Sequence, residues 1–209
     1  MDRARFKESK MILGEGDTWH TLETCVWHSP FALSDFQDLS PLYNSLEEFF
    51  VKRLNVKKAS PSLLINEVKR MAETTSPRVH DIRTRLIEIG MMLARTSIDD
   101  SVSKALMSLK DTKFLPKKMN DGVLVLVGKT DDFAIADHRR YCDALADQDV
   151  LLDFDVHEVQ ILHVVFEYMG LTKRYLSAMV REVSMVGETL LKDEQLSQQL
   201  HAKAYALYW

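Results

Sequence analysis

Past Lys110 the hydrophobic period of this chain changes, and that change constrains its possible folds more than any other feature. Before it, Ser-Pro pairs punctuate the sequence at Ser40-Pro41, Ser60-Pro61 and Ser76-Pro77. Serine is a strong N-cap, and proline at the first helical position loses no hydrogen bond, so the first two pairs read as helix starts. The first predicts a helix from Pro41 that buries Leu42, Leu46, Phe49, Phe50 and Leu54. The second predicts one that buries Leu64, Ile65, Val68, Met71 and Ala72. After Ser76-Pro77 a third helix carries Ile82, Leu86, Ile89 and Leu93 inward, with Asp81 and Arg85 paired four apart on its outer side. A shorter fourth runs from Val102 to Leu109.

Beyond Lys110, Lys113 to Pro116, a turn at Asn120, Asp121 and Gly122, and the β-branched run Val123 to Val127 predict a hairpin or two sheet strands. Phe133 to Ala136 and Val150 to Phe154 read as further short strands around a helix from about His138 to Ala146. Asp155 with Glu158 forms a capping-box start for a helix burying Val159, Leu162, Val165, Phe166 and Met169, and Gly170 stops it. Thr172 caps a short helix through Met179, and Asp193 caps a last one carrying Leu196, Leu200, Ala204 and Leu207. The expected class is α+β, predominantly helical. It divides into an irregular tryptophan-containing segment at 1–39 that docks on the body, a helical part at 40–110 and a small α/β part at 111–209 with short strands.

Several functional classes lose support at this stage. The longest aliphatic run, Val123 to Val127, is far short of the roughly 20 apolar residues of a membrane span. The N-terminus MDRARFKESK lacks the apolar stretch of a secretory signal, so a cytoplasmic or nuclear location is expected. Cys25 and Cys142 are too few for a disulfide framework and read as small buried hydrophobes. Charge is divided along the chain. Residues 41–120 carry 15 Lys+Arg against 9 Asp+Glu, and residues 121–200 carry 7 against 15. Two folded parts of opposite sign attract one another. The basic cluster Lys52, Arg53, Lys57, Lys58, Lys69 and Arg70 lacks interleaved aromatic residues, which argues for a solvated face rather than a nucleic-acid groove.

The motifs that imitate chemistry each have a simpler account. Gly128-Lys129-Thr130 ends like a phosphate-binding loop, but Val123 stands where that loop needs its first glycine. His157-Glu158 imitates a zinc-protease helix, but Ile161 occupies the position of the second ligand. Asp153, Asp155 and His157 alternate as cation ligands on a strand would, whereas Asp155 as a helix cap explains the same residues. Cys25 and His28, with His20 nearby, form at most half a zinc site. Asp137-His138 offers an acid/base pair with no nucleophile placed to use it. Ten methionines suit adaptable binding faces, although Met71, Met92 and Met169 fall on or beside core stripes. No catalytic, cofactor-binding or metal-binding residue is assigned.

The stretch DFAIADHRRYCDALADQDVLLDFDVHEVQILHVVFEYMGLTKRYLSAMVREVSMV, residues 132–186, resembles a region of very large fungal proteins related to the plant NO VEIN and to sacsin-type proteins. Trp19 with Cys25, Val26 and Trp27, the stretch LYNSLEEFFVKRLNV at 42–56 and KFLPKK around Leu115 resemble further pieces of that region in the same order. In those proteins the region follows a histidine-kinase-like (GHKL-type) ATPase domain. The glutamate/asparagine helix, glycine-rich lid and Asp-x-Gly element of such an ATPase have no counterpart here, so no ATP binding is expected. The resemblance implies a non-enzymatic scaffold or protein-interaction module, a stand-alone remnant of a larger protein, with a protein partner or self-association. The alternative is an unrecognised enzyme or accessory protein of a fungal metabolic pathway.

Overall fold

The computed structural model describes residues 9–33, 35–145 and 150–180. The last predicted helix, from Asp193, lies outside the described residues, as does the end of the one predicted from His138. The protein is α+β and predominantly helical, with short strands in small sheets. Its helices are α1 (Pro61–Ala72), α2 (Val79–Leu93), α3 (Asp100–Ser108), α4 (Arg139–Ala144), α5 (Val156–Ile161), α6 (His163–Tyr168) and α7 (Leu176–Met179). Among the described residues no helix is long and apolar enough to cross a membrane.

The larger core grows from α1, α2 and α3. Ser60 caps α1 by accepting the Leu63 N–H, with Pro61 at the first position, and Asp99 caps α3 through the Val102 N–H at 2.8 Å. Each such cap contributes about 1 kcal/mol. Leu64, Ile65 and Val68 of α1 are fully buried against Ile82, Leu86, Ile89 and Leu93 of α2, the faces expected from the periodicity. One expectation fails on α2. Asp81 pairs with Arg78, not Arg85, and Arg85 turns inward, where it is buried beside Glu67 and Glu88. Helical spacing brings positions 81 and 85 near one another, but burial of a carboxylate on α1 gives the guanidinium a stronger partner inside.

The same core continues past residue 110. Strands β6 (Leu115–Lys118) and β7 (Leu124–Val127) form an antiparallel hairpin that turns at Gly122, where φ is +82° and a side chain would be strained. The strands predicted at 133–136 and 150–154 are present only as single bridges, Ala134 with Leu151, Lys117 with Leu152 and Ile135 with Tyr175. Phe114, Phe133, Phe154, Val159, Leu162 and Phe166 pack with the α1–α3 residues in one continuous cluster. The capping box at Asp155 and Glu158 is complete. The helix behind it is interrupted at Leu162, where α2 comes close: a Cβ on Gly90 would stand 2.7 Å from the Ile161 carbonyl oxygen. Gly170, at φ +68°, ends α6 as expected. The predicted helix from Thr172 is likewise split, because Tyr175 is extended between a 3₁₀ turn at Thr172–Arg174 and α7.

The residues before α1 make a second, smaller core. Strands β1 (Ile12–Leu13) and β2 (Trp19–His20) pair antiparallel, while β3 (Cys25–Trp27) lies between β4 (Gln37–Asp38) and β5 (Lys57–Lys58) in a parallel sheet. Ile12, Leu22, Cys25, Trp27, Leu39, Phe50 and Val56 cluster there. Trp27 is buried as expected for a docked segment, but Trp19 is 54% exposed.

The helix predicted from Pro41 does not form. Residues 40–42 form a turn, followed by a 3₁₀ turn at Asn44–Leu46 and a π-helical segment at Glu48–Arg53. The π winding is marked by the five-residue bond from the Leu54 N–H to the Phe49 carbonyl at 3.0 Å. Ser40 is no cap, and its own N–H goes to Asp38. With this winding the predicted stripe does not turn inward as one: of its five residues Phe50 is buried, Leu54 is half-buried, and Leu42, Leu46 and Phe49 stand outside.

Candidate functional site

The residues singled out by the sequence do not gather. Asp153 pairs with Arg83 Nε at 3.2 Å, and Arg83 also donates to the Asp153 carbonyl at 2.7 Å and pairs with Glu158. Asp155 accepts the Glu158 N–H at 2.8 Å and His157 is exposed, so the alternating triplet is an anchored strand-to-helix corner. The opposite charges of the two segments meet here and where Lys113 reaches Asp131 at 3.5 Å. At Gly128 the backbone N–H that a phosphate would need is donated to Asp131 Oδ2 at 2.9 Å. That bond, helped by Lys113, holds the Asp131 carboxyl below its ordinary range despite the opposing effect of desolvation.

The proposed zinc half-site disperses in the same way. Cys25 donates its thiol to the Thr21 carbonyl at 3.2 Å, and burial pushes its pKa up to about 11, the opposite of an activated nucleophile. His28 has a left-handed backbone, φ +60°, fixed by its N–H on Asp38 Oδ1 at 3.0 Å, while the ring of His20 bonds the Thr18 hydroxyl at 2.8 Å. Cys142 is half-buried, and its thiol is also raised, first by desolvation and then by Asp143. Among the described residues no group of three His, Cys, Asp or Glu could hold a metal ion.

Two polar groupings were invisible in the sequence because their members come from distant elements. In the first, Arg85 Nε lies 3.0 Å from Glu67 Oε2 without the alignment of a good hydrogen bond, its other nitrogens reach Glu88 and the Ala32 carbonyl, and all three side chains are largely buried. Burial raises the Glu88 carboxyl and Arg85 partly offsets that. This group joins α1, α2 and the 29–33 loop. In the second, Asp137 accepts both the backbone N–H and the hydroxyl of Ser177, while the Tyr175 hydroxyl and His163 Nδ1 share a bond of 2.9 Å. Burial, then the charges of Asp137 and Glu167, push Tyr175 up to about 12. Ser177 thus faces a carboxylate and His163 a phenol, so among the described residues no imidazole stands on the serine as a base.

The features left available are surfaces. Leu42, Leu46 and Phe49 are each 44–47% exposed along the irregular 40–53 segment. Phe49 is backed edge-on by Phe50 at 5.4 Å, and Phe50 by Tyr43 at 5.1 Å and Trp27 at 5.8 Å. The Tyr43 hydroxyl donates to the Leu13 carbonyl at 3.0 Å, which ties this aromatic stack to the β1–β2 hairpin bearing Trp19. A recess of about 580 Å³ also lies between the small core and α1, and another of about 490 Å³ shares Phe36 with it.

Residues 62–180 match the family model described as Domain of unknown function (DUF8348), more than half of the chain, and the chain belongs to that family. No curated protein and no solved structure matches it. The matched span opens in α1 and closes just past α7, so it coincides with the larger core and leaves the strand-built layer before residue 60 outside it.

Proposed function

We propose that this member of the DUF8348 family is a non-enzymatic protein-interaction module, and that isolated chains associate through the face bearing Leu42, Leu46 and Phe49. The observation that carries the reading is this face: two leucines and a phenylalanine stand in solvent on a segment whose neighbouring Phe50 anchors it to the small core. Clustered exposed apolar side chains of this kind mark interaction surfaces. Charges of both signs flank them, with Glu48 paired to Lys52 and Glu47 to Lys58, so the face is suited to a two-fold contact with its own copy. A binding role is further supported by the engagement of Asp137, Asp153 and Asp155 in local structure. A scaffold beside an ATPase, as the sequence resemblance implies, is one setting for such a module.

Light scattering coupled to size exclusion tests the proposal. The wild-type chain is expected to grow in apparent mass with concentration, and the Leu46→Asp/Phe49→Asp variant to remain monomeric with an unchanged circular dichroism spectrum. A wild-type chain that stays monomeric and binds no hydrophobic dye would overturn it.

A further inference from the structure

We propose that the two adjoining recesses form one track that binds an extended acidic peptide segment of a partner protein. The track is lined by residues other than Leu42, Leu46 and Phe49 and goes beyond the self-association face. The first recess, about 580 Å³, is lined by Asn55, Lys57, Leu63, Asn66, Arg70 and Ser101 among others. The second, about 490 Å³, is lined by Lys10, Trp19, Asp35 and Gln37. Both volumes are within the range of ligand sites, and the first lies between two packed cores, where such sites concentrate. Phe36 is a wall of both recesses, and Arg70 from the first reaches Asp35 of the second at 3.0 Å while lying 5.7 Å from the Phe36 ring centre. A compact molecule would fill one recess. A chain can run through both.

The unused hydrogen-bonding groups fit a polypeptide. Among the described residues, the side chains of Asn55, Asn66 and Ser101 have no hydrogen-bond partner, although all three are exposed to the recess. A carboxamide both donates and accepts, so it can bond the alternating C=O and N–H groups of a peptide in a way that a lysine or glutamate cannot. Apolar contact is available from Leu63 and Phe36 in the first recess and from half-exposed Trp19 in the second.

The charges select the sign. Lys57 and Lys10 have no carboxylate at ion-pair distance among the described residues, and Arg70 is held by Asp35. Glu23 is the opposing carboxylate without such a cation. Two open cations against one open carboxylate favour an acidic partner. Glu23 and Asp35 also place negative charge inside the track, which disfavours the continuous phosphates of a nucleic acid.

The test is a titration of the full-length chain, read by calorimetry and by tryptophan emission, with an acetylated and amidated ten-residue peptide of alternating Glu and Val. Saturable binding is expected, weaker at high salt, together with weaker binding of the matching Lys/Val peptide. Lys57→Glu is expected to weaken the Glu/Val peptide about tenfold or more, since it sets like charges together. Asn66→Ala is expected to weaken it about fivefold through lost hydrogen bonds. Both positions are exposed, so unchanged unfolding temperatures will show the variants intact. The Leu46→Asp/Phe49→Asp variant should bind the peptide as the wild type does, which separates this inference from self-association. Absence of saturable binding, equal affinity for the Lys/Val peptide, or unchanged affinity in both variants would overturn it. So would equal competition by free glutamate or inorganic phosphate, which would make the recess a small-anion site, and so would tighter binding of a thymidine oligonucleotide.

Discussion

Arg85→Met is the most informative single perturbation of this fold. Arg85 shows 8% of its side chain to solvent, faces a Glu67 side chain that shows none, also contacts Glu88, and donates to the Ala32 carbonyl at 2.8 Å. Methionine keeps the apolar stem and removes every one of these interactions, leaving the Glu67 charge buried without its cation. Breaking a buried pair from one side costs about 3–5 kcal/mol, a large part of the roughly 5–15 kcal/mol that holds a domain together. At a urea dependence of about 2 kcal/mol per molar, the midpoint should fall by about 1.5–2.5 M. The double variant Glu67→Leu/Arg85→Met removes both charges, so it should recover much of the loss. Glu88 supplies a pH signature. Its carboxyl is already raised by burial, and Arg85 limits that rise, so without Arg85 it should go higher. A raised carboxyl contributes stability that is fully present below its unfolded value and lost as pH rises through the folded value. The deficit of Arg85→Met should therefore be smaller near about pH 5 than near about pH 7.5. A single variant within about 1 kcal/mol of wild type, or a double variant equal to the sum of its singles, would refute the reasoning.

Other consequences are as direct. Gly90→Ala places a Cβ 2.7 Å from the Ile161 carbonyl oxygen, so overpacking of about 1–3 kcal/mol should exceed the roughly 1 kcal/mol gain in helix propensity, and a raised melting temperature would contradict the close approach. Cys25, with its pKa raised from 9.0 to about 11, should react with iodoacetamide near pH 8 about a hundredfold more slowly than a free thiol. Labelling at the free-thiol rate in the native state would refute that environment. Removing residues 1–58 deletes the Ala32 acceptor and the Phe31 and Leu33 packing, so the remainder should keep a helical spectrum and melt cooperatively at a lower temperature. Loss of the cooperative transition would show that the larger core cannot stand without that layer. Calorimetric titration with Mg-ATP should give no binding heat, and micromolar affinity would reverse that expectation.

What the sequence made legible was local and periodic. The Ser60 and Asp155 caps, the α2 stripe from Ile82 to Leu93 and the Gly122 turn all follow from residues within one or two turns of each other, and each formed where expected. Arg85 failed because its partner, Glu67, lies on another helix, and a one-dimensional pattern ranks the nearby Asp81 first. The helix split at Leu162 had no local signal, since the residue against it, Gly90, is remote in sequence. The methionines named as core-filling, Met71, Met92 and Met169, all pack on the larger core, whereas Met91, Met107 and Met179 exceed 40% exposure. The polar candidates were legible only as negatives. Asp155 could be read as a cap from the sequence, but Arg83 as the holder of Asp153 required the packing of α2 on the 153–158 corner.

The most consequential disagreement between sequence and structure lies at residues 40–54. Its apolar spacing is adequate for an α-helix, and an α-helix there would have placed Leu46, Phe49 and Phe50 on adjoining parts of one stripe. Here instead Phe50 enters the small core, stacked with Trp27 and Tyr43, and Val51 and Leu54 pack half-buried against it, while Phe49 on the π segment and Leu46 on the turn before it stay outside. Such winding is rare and costs helical regularity, so it needs a return elsewhere in the fold or in function. Within the fold the return is one buried phenylalanine and two half-buried neighbours, which an ordinary helix could also have supplied. The exposed pair is what the irregular winding adds. Places where local rules are broken for little packing gain are where function is most often found, and this one lies in the strand-built layer that also lines the larger recess, outside the span that defines the family. On the proposed reading the larger core is the platform, and the layer before α1 is the part that meets other molecules.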